Sequence, residues 1–465
     1  MPLLRRLACW LLALAALPLA AQGLPPEVDA ALARAKLPRE AVALLVVDAQ
    51  GRAPPRLSHR AGVPVNPASL AKLATTFAAL ELLGPAFTWS TPVYLDGGVR
   101  DGTLHGNLYI KGQGDPKLVV ERLWLLLRRV QGLGVRSIAG DIVLDHSAFE
   151  TVAQDPAAFD GEPLRPYNAA PDALLLNFKS LVMTFTVLAG QAQVQVEPPL
   201  AGLAVPAGVP LVAGACGDWR AALKADFSDP SRIRFGGGYP AACGEKTWPL
   251  AYADPASHAA RTVAGLWRHM GGGLAGQVRQ GPVPAGLSPA FELQSPPLPE
   301  IIRDINKYSN NVMAQQLFLT LSLQQQGLGT LEGSRAAMRQ WWRERFGDGE
   351  APAFGNGSGL SRDERITAQQ LAGLLQAAWA SPLMPELVAS LPVAGLDGTM
   401  RRARGKGVGL AHLKTGSLRD VAGVAGYVHA ASGRRYVLVA IANHLQAQAA
   451  RPAIEALIDW AARDL

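Results

Sequence analysis

The chain has 465 residues, 49% of them apolar and 17% charged, with 44 Lys+Arg against 37 Asp+Glu for a formal net charge of +7. That length predicts two or three domains, and the balance excludes a disordered chain. The basic excess is mild and no Lys/Arg cluster is interleaved with aromatics, so no nucleic-acid partner is expected. No fixed repeat recurs that would suggest a solenoid or propeller.

Residues 1–21 read as a secretory signal: Arg5 and Arg6, then the apolar run Leu7–Leu19, then the small residues Ala20 and Ala21. The apolar run falls short of the ~20 residues that a spanning helix needs. Cleavage is therefore expected rather than an anchor, leaving a periplasmic or secreted chain with no transmembrane span. Cys9 goes with the signal. Cys216 and Cys243 remain, an even pair for an oxidising compartment. A disulfide is the expectation and two buried thiols the alternative; a bridge would close a loop of about 28 residues, worth ~3.6 kcal/mol by chain entropy. No Cys-x-x-Cys and no His-Glu-x-x-His occurs, so neither a metal nor a cofactor is expected.

Along the chain, Ala41–Asp48 reads as a strand and Pro67–Leu83 as a helix. Asn66 suits its cap, Pro67 its first turn, and Leu70, Leu73, Phe77 and Leu80 its buried stripe. Residues 91–290 turn rich in Gly, Pro, Val and Ala. Short strand-like pieces, Asn107–Lys111, Gly140–Leu144 and Leu181–Val187, predict a mostly β insertion of two subdomains. Gly281–Pro299 reads as a connecting segment. Ile301–Gln325 is helix-prone and Gly355–Leu360 is a loop. Ala411–Ser417, Val421–His429 and Arg435–Ala442 are strands, the last two joined by a hairpin turn at Ala431–Gly433. Ile454, Leu457, Ile458, Ala461 and Leu465 share one face of a closing helix. Segments 24–90 and 291–465 would then form one discontinuous domain, its ends brought together.

Three motifs share one chemistry. Ser69 and Lys72 are i and i+3 on a helix, so the amine can reach the hydroxyl and, when neutral, take its proton. Ser309-Asn310-Asn311 and Lys414-Thr415-Gly416 follow; each pattern occurs once, in the order known for serine acyl-transfer enzymes that react with penicillin. Ser69 would form an acyl-enzyme with Lys72 as base. Lys414 would lower the pKa of its neighbour. Ser309 could relay a proton to the leaving amine, while Asn311 holds Lys72 and the substrate amide. Thr415 and the Lys414 charge suit a substrate carboxylate, and Gly416 would let a ligand lie on the strand edge. The N–H groups of Ser69 and Ser417 would form the oxyanion hole.

With these residues in place, the chain resembles the class C low-molecular-mass penicillin-binding proteins of the penicillin-binding protein 4 type, the S13 peptidases. The likeness includes Gly112–Pro116, Tyr167-Asn168-Ala169, Asn356–Arg362, and Leu391–Gly395 followed by Asp397-Gly398-Thr399. It also includes the long stretch between Lys72 and Ser309. The resemblance implies an α+β fold: a β-lactamase/transpeptidase-like domain, an antiparallel sheet flanked by helices, with β-rich domains inserted after the nucleophile helix. It implies a serine D-alanyl-D-alanine carboxypeptidase or endopeptidase acting on peptidoglycan peptides, with β-lactams as covalent ligands. Two positions depart from the pattern: Asn356 where Asp is usual, and the bulky Arg419. The resemblance further implies a pocket for the free end of a diamino acid, with Glu162 on its ammonium, Arg362 on its carboxylate and Tyr167 along its stem. Arg419 could share the carboxylate role.

A serine β-lactamase is the alternative; it would need a base for the deacylating water, and the sequence offers none. A binding module that has kept only the fold would be expected to lack a motif residue, and none is missing. No Gly-x-Ser-x-Gly occurs to suggest an α/β-hydrolase.

Overall fold

The computed structural model describes residues 23–151 and 154–464. The expected signal with Cys9, and Leu465 of the closing helix, lie outside them. At the centre is a five-stranded antiparallel sheet in the order Ala411–Leu418, Val421–His429, Arg435–Asn443, Val42–Asp48, Leu57–His59. Its inner strands are apolar on both faces because both faces are covered. Helices Pro26–Arg34 and Arg451–Ala462 close one side, burying Val28, Ile454 and Leu457. Helices Ala71–Leu83, Leu298–Tyr308, Asn311–Gln326 and Ala368–Trp379 close the other, around Phe77, Leu317 and Leu375.

Two elements differ from the sequence reading where the site lies. Asn66 does not cap a helix that starts at Pro67; a 3-10 turn, Ala68–Leu70, comes first and the α-helix begins at Ala71. The helix-prone stretch 301–325 is two helices, broken at Ser309, which sits in the left-handed region at φ 58°. Asn310 then caps the second helix through Met313 N.

The insertion is β-rich, as expected, and also carries two long helices that the sequence reading left out. One layer is a mixed sheet, Val278–Gln280, Ile142–Asp145, Leu108–Lys111, Ser90–Leu95 and Phe291–Gln294, packed on helices Val120–Gly132 and Pro255–His269. Leu123, Leu126, Leu127 and Val130 give the first helix its apolar face, and it crosses between the parallel strands Leu108–Lys111 and Ile142–Asp145. A second five-stranded sheet, from Ser180–Leu188 to Lys246–Ala251, is nested in that unit with its own core around Phe185 and Tyr239. There the Cys216 and Cys243 sulfurs lie at bonding distance, with Cα atoms 4.7 Å apart. The expected boundary at residue 291 also moves. Phe291–Gln294 pairs with Ser90–Leu95 inside the insertion, and the chain re-enters the catalytic unit at the helix Leu298–Tyr308. The prolines around that strand mask its alternation of Phe, Glu, Leu and Gln.

Candidate active site

The nucleophile turn is held from two sides. Asn66 Oδ1 accepts from Ala68 N at 2.8 Å, Asn66 Nδ2 donates to the Ser361 carbonyl, and Asn443 Oδ1 accepts from Asn66 N at the end of a central strand. Ser69 is therefore fixed over the sheet edge. One helical turn on, Lys72 is fully buried. Its Nζ donates to Ser69 Oγ at 2.8 Å, to Asn311 Oδ1 at 2.6 Å and to the Ser358 carbonyl, which uses all three donors of an ammonium. Burial pulls its pKa down to about 7, against the opposing pull of the Glu364 charge.

Lys414 is the second fully buried cation. It donates to Ser309 Oγ at 2.8 Å and to the Thr415 carbonyl at 2.6 Å. Burial first, and then the Lys72 charge, hold it well below the ordinary lysine range. Thr415 Oγ1 donates to Thr399 Oγ1 at 2.8 Å. Gly416 has a different reason from the one the motif suggested: a Cβ there would lie 2.6 Å from the Pro67 carbonyl oxygen. The missing side chain admits the nucleophile turn, not a ligand. Ser417 is exposed beside it.

The loop Gly355–Leu360 closes over the nucleophile. Gly359 takes φ +78°, and a Cβ on it would stand 1.9 Å from the Ala68 carbonyl oxygen and 2.7 Å from Ser69 N. Only glycine fits there. Thr75 Oγ1 ties the loop to the helix through the Gly357 carbonyl at 2.8 Å.

Ser69, Ser309, Asn311 and Ser417 open on a cleft of about 540 Å³ that Tyr167, Arg362 and Arg419 also line. Glu162 does not reach it. Its side chain is 58% exposed and faces Arg165 at 3.4 Å. The acid in the cleft is Asp160, which accepts from Tyr167 Oη and Asn168 Nδ2, each at 2.8 Å. Burial opposes its charge, but the bonds from Asn168 and Tyr167 outweigh it and hold the carboxyl below the usual range. Burial and Asp160 in turn push the Tyr167 phenol up to about 12. Arg362 donates to Asp420 Oδ1 at 2.9 Å and lies over the Phe159 ring. The resemblance pointed to Glu162 by its place five residues before Tyr167, whereas the acid that enters the cleft stands seven before it on the same loop. Ser358, Gly359 and Thr399 were also missed; the first two act through backbone, which leaves no side-chain signature.

Among the described residues no group of three or more His, Cys, Asp or Glu side chains could hold a metal ion. No helix of the described residues is long and apolar enough to cross a membrane.

Comparison with known proteins gives a family and a fold. The family model described as the D-Ala-D-Ala carboxypeptidase 3 (S13) family matches residues 24–464. A D-alanyl-D-alanine carboxypeptidase of Actinomadura sp. is 29% identical over 400 residues, 81% of this chain and 73% of the relative. The D-alanyl-D-alanine carboxypeptidase DacB of Haemophilus influenzae is 26% identical over 398 residues, 81% of this chain and 80% of that one. In fold, the chain is similar to penicillin binding protein 4 of H. influenzae, with a TM-score of 0.75, 21% identity, and coverage of 94% of this chain and 99% of that one.

Proposed function

The chain belongs to the D-Ala-D-Ala carboxypeptidase 3 (S13) family, and from that premise we propose that it works through an acyl-enzyme on Ser69. It is a D-Ala-D-Ala carboxypeptidase/endopeptidase, a serine hydrolase of peptidoglycan, and on this reading β-lactams acylate the same serine. Ser69 Oγ attacks the carbonyl of the penultimate D-alanine while its proton passes to neutral Lys72. The oxyanion is held by the N–H groups of Ser69 and Ser417. As the intermediate collapses, the proton that Lys72 took passes by way of Ser309 to the leaving amine, which returns Lys72 to its neutral form, and Asn311 keeps Lys72 and the substrate amide in line. Lys414 and Thr415 bind the terminal carboxylate. Water then attacks the ester as Lys72 takes its proton, and Lys72 passes that proton to Ser69 Oγ as the acid leaves. In cross-link cleavage the leaving amine belongs to a second stem instead of free D-alanine.

One observation carries this reading: a fully buried lysine stands 2.8 Å from the serine hydroxyl with its pKa drawn down to about 7. A base poised near working pH is what proton abstraction requires. Asp160 takes the place expected of Glu162 in the stem-end pocket and would meet an ammonium, while Arg362 and Arg419 meet a carboxylate. The chain would be exported, with the signal cut after about Ala21, and Cys216–Cys243 bridged in that oxidising compartment. The test is a fluorescent penicillin. Covalent labelling of the mature protein that Ser69→Ala abolishes is the expected result; labelling that survives the substitution removes Ser69 from the role.

A further inference from the structure

The two lysines pose a problem of charge. Both are fully buried, and their partners are neutral oxygens: hydroxyls of Ser69 and Ser309, the Asn311 amide and backbone carbonyls. A buried cation without a counter-charge is expensive. One carboxylate is buried with them. Glu364 is 1% exposed. Its Oε1 accepts the N–H groups of Gly355 at 3.1 Å and Asn356 at 3.2 Å. Its Oε2 is buried with no partner.

Those two N–H groups begin the turn that does the work at the nucleophile. Ser358 gives its carbonyl to Lys72, and Gly359 presses on Ala68 and Ser69. Between them, Asn356 Oδ1 accepts from Ser358 N at 3.0 Å and Ser358 Oγ at 2.8 Å, while its Nδ2 donates to the Leu360 carbonyl at 3.0 Å. An ionised Asp at 356 could not make that last bond and would set a second carboxylate beside Glu364, which like-charge repulsion opposes.

We propose that Glu364 is a positioning residue for Lys72: its carboxylate clamps the Gly355–Asn356 end of the turn and supplies the negative charge that the buried ammonium otherwise lacks, and for that reason position 356 is Asn and not Asp. The role rests on Lys72 being the acylation base. The charged groups acting on Lys72 are Glu364, which raises its pKa, and Lys414 nearby, whose own pKa is lowered by Lys72; Ser69, Asn311 and Ser358 are neutral. Burial in turn pushes the Glu364 carboxyl up to about 7, against the pull of the Asn356 and Gly355 N–H groups and of Lys72, so the two groups titrate as a pair.

The test is the rate of penicillin acylation against pH. Glu364→Gln keeps an acceptor for both N–H groups and removes only the charge. Its rising limb should move to lower pH, by up to about one unit, since removing an opposite charge lowers a lysine's pKa, and it should become that of a single group because Glu364 no longer titrates beside Lys72. Glu364→Ala also loses the clamp, and its plateau should fall about 100-fold, the cost of a misplacement near 1 Å. Asn356→Asp added to Glu364→Gln restores one carboxylate to the turn and should bring the limb back toward the wild-type position. A Gln variant whose rate falls with no movement of the limb overturns the charge role. Should Glu364→Gln fail to fold, the double variant decides: a folded, acylating protein supports the proposal, and one as unfolded as the single variant overturns it. A wild-type protein that takes up no penicillin would instead refute the acyl-enzyme reading itself.

Discussion

Gly359→Ala is the sharpest probe of how the loop serves the nucleophile. The added methyl carbon falls short of an ordinary 3.4 Å contact with the Ala68 carbonyl oxygen by about 1.5 Å. Its neighbours there are backbone atoms of Ala68 and Ser69, which cannot rotate away. Overpacking of this kind costs about 1–3 kcal/mol, and holding a non-glycine residue at φ +78° adds roughly 1 kcal/mol. The sum is a few kcal/mol against a total stability of about 5–15 kcal/mol, so the protein should fold with a lowered Tm. Catalysis should suffer more. Either the loop lifts, taking the Ser358 carbonyl from Lys72, or the Ser69 turn shifts by about 1 Å; a misplacement of that size costs about 100-fold. Stopped-flow acylation by a chromogenic penicillin measures it. Gly347→Ala is the control, since its φ is +87° with nothing within 4 Å of the new methyl; it should lose stability and keep its acylation rate. A Gly359→Ala protein that acylates within threefold of wild type would refute the packing argument.

Acylation should rise as pH passes upward through about 7, because burial lowers Lys72 to that value and only its neutral form accepts the Ser69 proton; a rate flat from pH 6 to 8 by the same assay would contradict it. Asp160→Asn should cut turnover of stem peptides with a free diamino-acid end by about 10-fold or more while sparing penicillin, since a charge-assisted bond is worth roughly twice a neutral one. Glu162→Gln, on the exposed side of the loop, should change neither reaction, as peptide and penicillin kinetics run side by side will reveal. Non-reduced peptide mapping of exported protein should find Cys216 joined to Cys243, and two alkylatable thiols would exclude the bridge.

The catalytic motifs were legible because each is a local geometric device. Ser69 and Lys72 need only one helical turn to meet, and the Lys414-Thr415-Gly416 strand presents its lysine and glycine to the same face. The expected strands at 421–429 and 435–442 and the hairpin between them also match, since their apolar runs are bounded by clear turn residues. What escaped the sequence depends on contacts between distant segments. Ser309, in the left-handed break between two helices, meets its partner Lys414 from a strand far along the chain. Gly416 is glycine for the sake of Pro67. Asp160 enters the cleft and Glu162 does not because Asn168 and Tyr167 turn the loop that way. Nothing local marks Glu364 as buried; it follows two charged residues in what reads as a solvated stretch. The insertion's helices were lost beneath a composition rich in Gly and Pro, although Leu123, Leu126, Leu127 and Val130 keep a helical period.

The central sheet is sewn from opposite ends of the chain: Val42–Asp48 lies between Leu57–His59 and Arg435–Asn443. A protein made N-terminus first therefore carries its serine long before the strand bearing Lys414 exists. Until that strand docks, Lys414, Thr415 and the Ser417 N–H are absent from the site. The site is therefore complete only once the two ends of the chain have joined in one sheet. Such pairings between remote segments are slow to form. A pulse of penicillin given during refolding would thus count only the molecules whose two ends have met, making the active site a clock for its own completion.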